Sequence, residues 1–383
     1  MENLTDARPY IRLSKSSIGQ EEKDAVLRVL DKEYLGMGVE VQNFEKILTD
    51  FFSRPAICVV NGTAALQLAI EACDIGDGDE ILVQSLTYVA SFQAISATGA
   101  KPVACDVDAN TLTININDAE KRLTKNTKAI MPVHYSGGVG NLDEIYNFAK
   151  KHNLRVIEDA AHAFGSKYQG DLVGSIGDIV CFSFDGIKNI TSGEGGCVVT
   201  SDEIVLQRVR DSRLLGVERD SENRYAKKRS WSFDVSRQGW RYHMSDLMAS
   251  IGICQINKIK KIREKRQLIA KSYLNFFKNS NNIYIIKNDF DEIVPHIFPI
   301  RIFGLKNRNG LQAALEKKGI QTGYHYQPNH ELTFYKNIKS FGNLIVTEEI
   351  FGELLTLPMH MDLNESDIEY IAKSLLELVP TYC

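Results

Sequence analysis

The sequence predicts an α/β protein whose central sheet is mostly parallel, joined to a smaller α+β unit at its C-terminal end. Three observations carry that prediction. Between about residues 56 and 200, short apolar runs alternate with segments of helical length and helical periodicity. Those runs are almost continuously apolar rather than alternating, as expected of strands covered on both faces. Beyond residue 200 the alternation stops, and long amphipathic segments with scattered β-branched stretches take over. At 383 residues and 44% hydrophobic, the chain exceeds what one core encloses. We therefore expect a large domain over residues 1–250 and a small one over 251–383.

Taken in order, a helix is expected around residues 20 to 32, packed with the small domain. The strand candidates of the large sheet are "AICVVN", "EILVQS", "KPVACDV", "KAIMPVHY", "RVIEDA", "DIVCFSF" and "GGCVVT". Residues 202 to 215 read as a helix, whereas 217 to 240 are polar and aromatic without a clear period. "MSDLMASIGICQINKIKKIREKRQLIAKSYLNFF" has the period of one or two long amphipathic helices. "NIYIIK", "VPHIFPIRIF" and "GYHY", with helices over 309–318 and 365–378, build the small unit.

Composition excludes several classes of function. A net charge of -4 offers no basic excess for a nucleic-acid polymer. Seven cysteines are scattered without CxxC spacing, which suits buried thiols in a reducing cytoplasm and gives no metal site. The N-terminus has no apolar signal core, and no run of about 18 uncharged apolar residues occurs, so a cytoplasmic protein without a membrane span is expected.

In parallel sheets the site gathers at the carboxyl ends of strands. "FSFDGIKNI" places Lys188 there, where an unpartnered ammonium is costly to bury, although the side chain could also snorkel outward. "VIEDAAHAFG" places Asp159 at the end of a strand one βα unit away. A lysine with a carboxylate suits pyridoxal phosphate (PLP), which requires an amine for its Schiff base, an acid against its pyridine nitrogen, and donors to its phosphate. In "NGTAALQLAI" the amides of Gly62, Thr63 and Ala64 begin a helix after a strand and suit an anion, though the same residues suit a plain N-cap. Tyr88 could stack on the ring, and Ser183 could add a hydroxyl to the phosphate. The glycines of "TSGEGG" permit a tight turn behind the lysine.

With "SLTYVAS" and "GWRYHMSDLMASIGICQINKI", these motifs resemble the DegT/DnrJ/EryC1/StrS aminotransferases over essentially the whole chain. The resemblance implies a fold-type I, aspartate aminotransferase-like homodimer that uses PLP and its pyridoxamine form (PMP). By that resemblance Lys188 is the Schiff-base lysine and acid/base, Asp159 the pyridinium partner, and His162 a neighbour of the ring and its phenolic oxygen. Gly62, Thr63 and Ser183 contact the phosphate, and Tyr88 stacks. Arg241 stands where the family often has an asparagine that reaches the phosphate of the neighbouring subunit's cofactor. His325 and Tyr326 of "TGYHY" lie near the substrate site. The segment from Arg219 to Trp231, with Arg224, Lys227, Lys228 and Arg229, is a solvated loop or a diphosphate contact.

The resemblance further implies L-glutamate as donor, leaving as 2-oxoglutarate, and a nucleotide-linked keto sugar as acceptor. "IEDAAHA" and the "HY" of "TGYHY" look most like members that aminate a 4-keto-6-deoxyhexose at C4, as in deoxyamino sugars of lipopolysaccharide O-antigen. A 3-keto sugar and a keto-cyclitol are alternatives. A PMP-dependent sugar dehydratase-like reaction would have histidine in place of Lys188. A nicotinamide enzyme lacks support because no GxGxxG follows the first strand. A non-catalytic binding protein would have no need of both Lys188 and Asp159.

Overall fold

The computed structural model describes residues 9–218, 233–337 and 342–383. The chain opens with helices α1 (Gln20–Asp31) and α2 (Val39–Phe52). A strand–helix alternation follows: β1 (Ala56–Val59), α3 (Gly62–Ala72), β2 (Glu80–Gln84), α4 (Val89–Ala97), β3 (Lys101–Cys105), α5 (Ile116–Lys121), β4 (Thr127–Met131), α6 (Leu142–His152) and β5 (Arg155–Asp159). A small hairpin, β6 (Lys167–Tyr168) and β7 (Asp171–Leu172), precedes β8 (Ile179–Ser183), β9 (Gly196–Thr200) and α7 (Glu203–Ser212). The seven large-sheet strands take the order β1-β9-β8-β5-β4-β2-β3. Pairings from β3 across to β8 are parallel, while β9 runs antiparallel to both β8 and β1. The predicted α/β class and mostly parallel sheet are therefore present, and each expected apolar run supplies one strand.

Strand alternation divides the core into two layers. Cys58, Val180 and Phe182 face Phe44, Phe52, Phe164 and Phe184 on one side of the sheet. Ile57, Val59, Ile179 and Cys181 face the buried side of α3 and Phe92 of α4 on the other. Both faces being covered explains why these strands read as continuous apolar runs.

The C-terminal part begins with α8 (Asp246–Ile256) and α9 (Ile259–Phe277), two helices where the sequence permits one or two. A three-stranded antiparallel sheet follows, formed by β10 (Ile283–Ile285), β11 (Phe298–Ile302) and β12 (Leu354–Leu357). Helices α10 (Arg308–Lys317), α11 (Ile345–Glu353) and α12 (Glu365–Tyr382) complete it. "GYHY" is not a strand of this sheet; its backbone meets the sheet in a bridge from Gly323 to Thr356. The third strand is "LLTL", which joins α11 without an intervening turn. Helix α1 packs along α8, where Glu22 Oε1 meets Lys258 Nζ at 2.6 Å and Gln255 Nε2 at 2.7 Å. The preceding stretch joins the small sheet's core through Ile11, which bridges Ile320. Among the described residues, no helix is long and apolar enough to cross a membrane.

One connection decides where chemistry can sit. Parallel neighbours need a helical crossover, but β8 and β9 are antiparallel and joined directly by residues 184–195. That segment therefore stays at the carboxyl edge of the sheet and holds Lys188 beside the ends of β5 and β1.

Candidate active site

The carboxyl ends of the strands enclose a cavity of about 490 Å³. Asp159 ends β5 and is only 5% exposed. Its Oδ2 accepts from Ser91 Oγ at 2.7 Å and its Oδ1 from the Ala161 amide at 3.2 Å. Each oxygen retains lone-pair capacity toward the cavity. The preceding Glu158 points to the other face, where His134 Nε2 lies 2.7 Å away and Tyr146 donates at 2.6 Å. Two consecutive acids thus serve opposite sides of one strand, and only Asp159 lines the cavity.

Lys188 is set by a turn in which its amide donates to Asp185 O at 3.0 Å and the Ile187 amide to Asp185 Oδ2 at 3.2 Å. Burial pushes its ammonium down to a pKa of about 8, against the opposing pull of Asp159 and Asp185. Its Nζ lies 3.4 Å from Nε2 of His296.

The opposite corner is built from α3. Asn61 caps the helix, accepting from the Ala64 amide at 2.8 Å. The Ala64 amide is thereby committed to the cap, and Ala64 does not line the cavity, a correction to the three-amide expectation. Gly62 and Thr63 do line it, together with Ser183 at the end of β8. A Cβ on Gly62 would stand 2.8 Å from Ser183 Cβ and 3.1 Å from its Oγ, so only glycine permits this approach. Gly62→Ala is expected to cost about 1–3 kcal/mol in urea unfolding through overpacking, and to weaken affinity for phosphate-bearing ligands measured by calorimetry.

The remaining wall comes from loops. Tyr326 hydroxyl meets His162 Nε2 at 3.0 Å, and its ring lies 5.6 Å from that of Tyr88. His325 Nδ1 meets Thr356 Oγ1 at 2.9 Å, and the buried Tyr135 hydroxyl donates to the His325 carbonyl. Burial, and next the charge of Lys188, push His162 and His296 well below the ordinary histidine range. The same two causes bring His325 down to about 4. These imidazoles are neutral at pH 7, and burial pushes the Tyr326 phenol well up.

The structure therefore brings together Gly62, Thr63, Tyr88, Asp159, His162, Ser183, Lys188, His325 and Tyr326. Arg241 lies elsewhere, exposed on the segment that bridges Leu214. Arg219 and the segment to Trp231 lie outside the described residues. Two polar contributors were not legible in advance: Ser91, an ordinary helix serine by pattern, and His296, which heads an apolar strand and looks like core. The donor set fits a phosphorylated pyridine aldehyde. It holds an amine of lowered basicity, a buried carboxylate, a helix N-terminus beside hydroxyls, and His162 Nδ1, buried without a partner.

Comparison with known proteins points the same way. The model of the DegT/DnrJ/EryC1/StrS aminotransferase family matches residues 16–376. The uncharacterized protein MJ1066 of Methanocaldococcus jannaschii is 36% identical over 370 residues, covering 94% of this chain and 96% of that one. The PMP form of Spr1654 from Streptococcus pneumoniae superposes with a TM-score of 0.90 at 28% identity, covering 97% and 100% of the two chains. Helicobacter pylori PseC, an aminotransferase of pseudoaminic acid biosynthesis, gives 0.89 at 27%, also covering 97% and 100%.

Proposed function

Since this chain belongs to the DegT/DnrJ/EryC1/StrS aminotransferase family, PLP-dependent sugar aminotransferases of fold-type I, we propose that its acceptor is a nucleotide-linked 4-keto-6-deoxyhexose, aminated at C4. L-Glutamate is the proposed donor and leaves as 2-oxoglutarate. The observation that carries the reading is the meeting of Lys188, Asp159 and the α3 N-terminus around one cavity whose wall also carries His325 and Tyr326. Resemblance of "IEDAAHA" and "TGYHY" to C4-aminating members supports the ring position.

Pyridoxal phosphate supplies an electron sink for the carbon that loses its proton, and carries the amino group from donor to acceptor. Lys188 would anchor it covalently and would take and return the proton at the reacting carbon. With a pKa of about 8, a usable fraction of its amine is unprotonated near neutral pH. Asp159, already receiving Ser91 and Ala161, would offer its remaining lone pairs to the pyridine N–H and hold that proton in place. Gly62, Thr63 and Ser183, which line the cavity, would hold the phosphate, Tyr88 would cover the ring, and His162 has a free Nδ1. His325 and Tyr326 orient the sugar.

We take the working unit to be a homodimer. Leu27, Leu30, Tyr34, Leu35 and Val39 form an exposed apolar stretch on and between α1 and α2, which suits a second copy. Arg241 would then reach the neighbouring subunit's phosphate, and a hybrid dimer tests this. With Lys188→Ala on one subunit and Arg241→Ala on the other, one site collects both lesions. Activity recovering toward half of wild type is expected, and no recovery returns Arg241 to its own chain.

The substrate is tested by incubating the enzyme with glutamate and a panel of nucleotide-linked 3-keto and 4-keto sugars, with NMR of the products. An amine at C4 is expected. An amine at C3 alone, or no transfer from glutamate, overturns the corresponding part of the reading.

A further inference from the structure

Lys188 has a polar neighbour to which the scheme above gives no role. His296 lies two residues before β11 and is 3% exposed. Its Nε2 is 3.4 Å from Lys188 Nζ, and its ring centre is 4.4 Å from that of His162. The backbone on both sides of this ring is pinned. The His296 amide donates to Ser136 O at 3.1 Å, and Arg266 Nη1 from α9 donates to the Pro295 and His296 carbonyls at 3.1 and 3.0 Å. A rigid imidazole therefore faces a flexible lysine across hydrogen-bond range.

Resting on the aminotransferase reading, we propose that His296 is a positioning residue whose Nε2 accepts a hydrogen bond from the Lys188 amine at the stages when that amine is free. Transamination would require such stages, because the lysine would be displaced when the donor amine takes its place and would return only on release of the aminated product. A free lysine side chain samples many rotamers. Anchoring the amine at His296 keeps it within reach of the carbon whose proton it moves. An ammonium only donates, so the opposing nitrogen must carry a lone pair and the imidazole proton must sit on Nδ1. Burial holds His296 well below the ordinary histidine range, so one ring nitrogen carries a lone pair; with Nε2 accepting, the proton sits on Nδ1, which is buried without a partner. The other titratable groups facing Lys188 are Asp159 at the end of β5, Asp185 in its own turn, and His162 and His325 from the loops. Arg266 stands behind His296.

The first test needs neither turnover nor cofactor. In the ¹⁵N-histidine spectrum of the apoprotein, His296 Nε2 should appear as an unprotonated, hydrogen-bonded nitrogen, and Lys188→Ala should move it toward the unbonded value. No movement overturns the proposal, whatever the reaction turns out to be. The second test follows covalent capture of PLP by the apoprotein against pH, since only the neutral amine reacts and the midpoint reports Lys188. His296→Leu removes the acceptor that favours the ammonium, so the midpoint should fall by about one unit, and kcat should drop about tenfold or more with KM for glutamate little changed. His296→Gln, which keeps an acceptor at similar reach, should restore both. An unmoved midpoint in His296→Leu, or a glutamine variant as impaired as leucine, overturns the proposal in favour of a packing role. Should the aminotransferase reading itself be wrong, wild type would transfer no amine while the ¹⁵N contact persisted.

Discussion

Lys188→Ala is expected to abolish steady-state amine transfer, with a loss of at least about 10³-fold. The variant loses the covalent anchor and the group that moves the proton, and the latter alone contributes about 10²–10⁴-fold in comparable reactions. Among the described residues that line the cavity, Lys188 is the only lysine. His162, His296 and His325, the nearest titratable alternatives, are neutral imidazoles held well below or near the acid end of their range. Two measurements check this. Borohydride should fix PLP to the wild type and leave no mass increase on the variant. Single-turnover mixing with glutamate should show no rapid loss of the resting visible band. A variant retaining a tenth of wild-type turnover would remove Lys188 from the mechanism.

Asp159→Asn is expected to lower kcat by about 10²–10³-fold while leaving the fold intact. Asparagine is isosteric, and its amide oxygen can still receive either Ser91 Oγ or the Ala161 amide, which now hold the carboxylate. What disappears is the charge opposite the pyridine nitrogen. Without it that nitrogen tends to lose its proton, and the ring becomes a weaker electron sink; a charge-assisted hydrogen bond is roughly twice as strong as a neutral one. Thermal unfolding should move by a few degrees only, while the carbon-to-cofactor proton transfer slows, as deuterated glutamate would reveal through an enlarged isotope effect. Wild-type rates in this variant would show that Asp159 is structural. A collapse in stability would instead assign the carboxylate to Ser91 and the strand end.

Much of this was legible in advance because burial on both faces leaves a plain mark. "DIVCFSF" is apolar along most of its length and "RVIEDA" has an apolar pair ahead of its acids, and each became a strand of the large sheet with a polar residue at the carboxyl end. Other features left weaker marks. "LLTL" is too short and too close to α11 to be told from a helical end by periodicity, whereas its partner "FPIRI" sits between recognisable breaks. "GYHY" has the aromatic content of a strand, yet its backbone turns away from the sheet after Gly323 and carries His325 and Tyr326 into the cavity. His296 was silent for a different reason. A histidine before an apolar strand is commonly core, and only the packing of β11 beneath the turn of Lys188 gives it a partner.

The cavity walls come from residues as far apart as Asn61 and Tyr326, with Lys188 near the middle. Several contacts that close the pocket are far apart in the chain: His162 with Tyr326, Lys188 with His296 and Asp159 with Ser91 all span tens of residues or more. Assembly of such long-range pairs is slow, because loop-closure entropy is spent before they can form. Completion of the pocket is therefore expected to follow the helices and the β8–β9 return that carries the lysine, as pulsed hydrogen exchange would show. The cofactor then acts as a thermodynamic latch: bound only by the finished pocket, it stabilises the native state by RT ln(1 + [L]/Kd), about 2.7 kcal/mol at a hundredfold excess over Kd. The unfolding midpoint is thus expected to rise with added cofactor and to lose that dependence in Lys188→Ala.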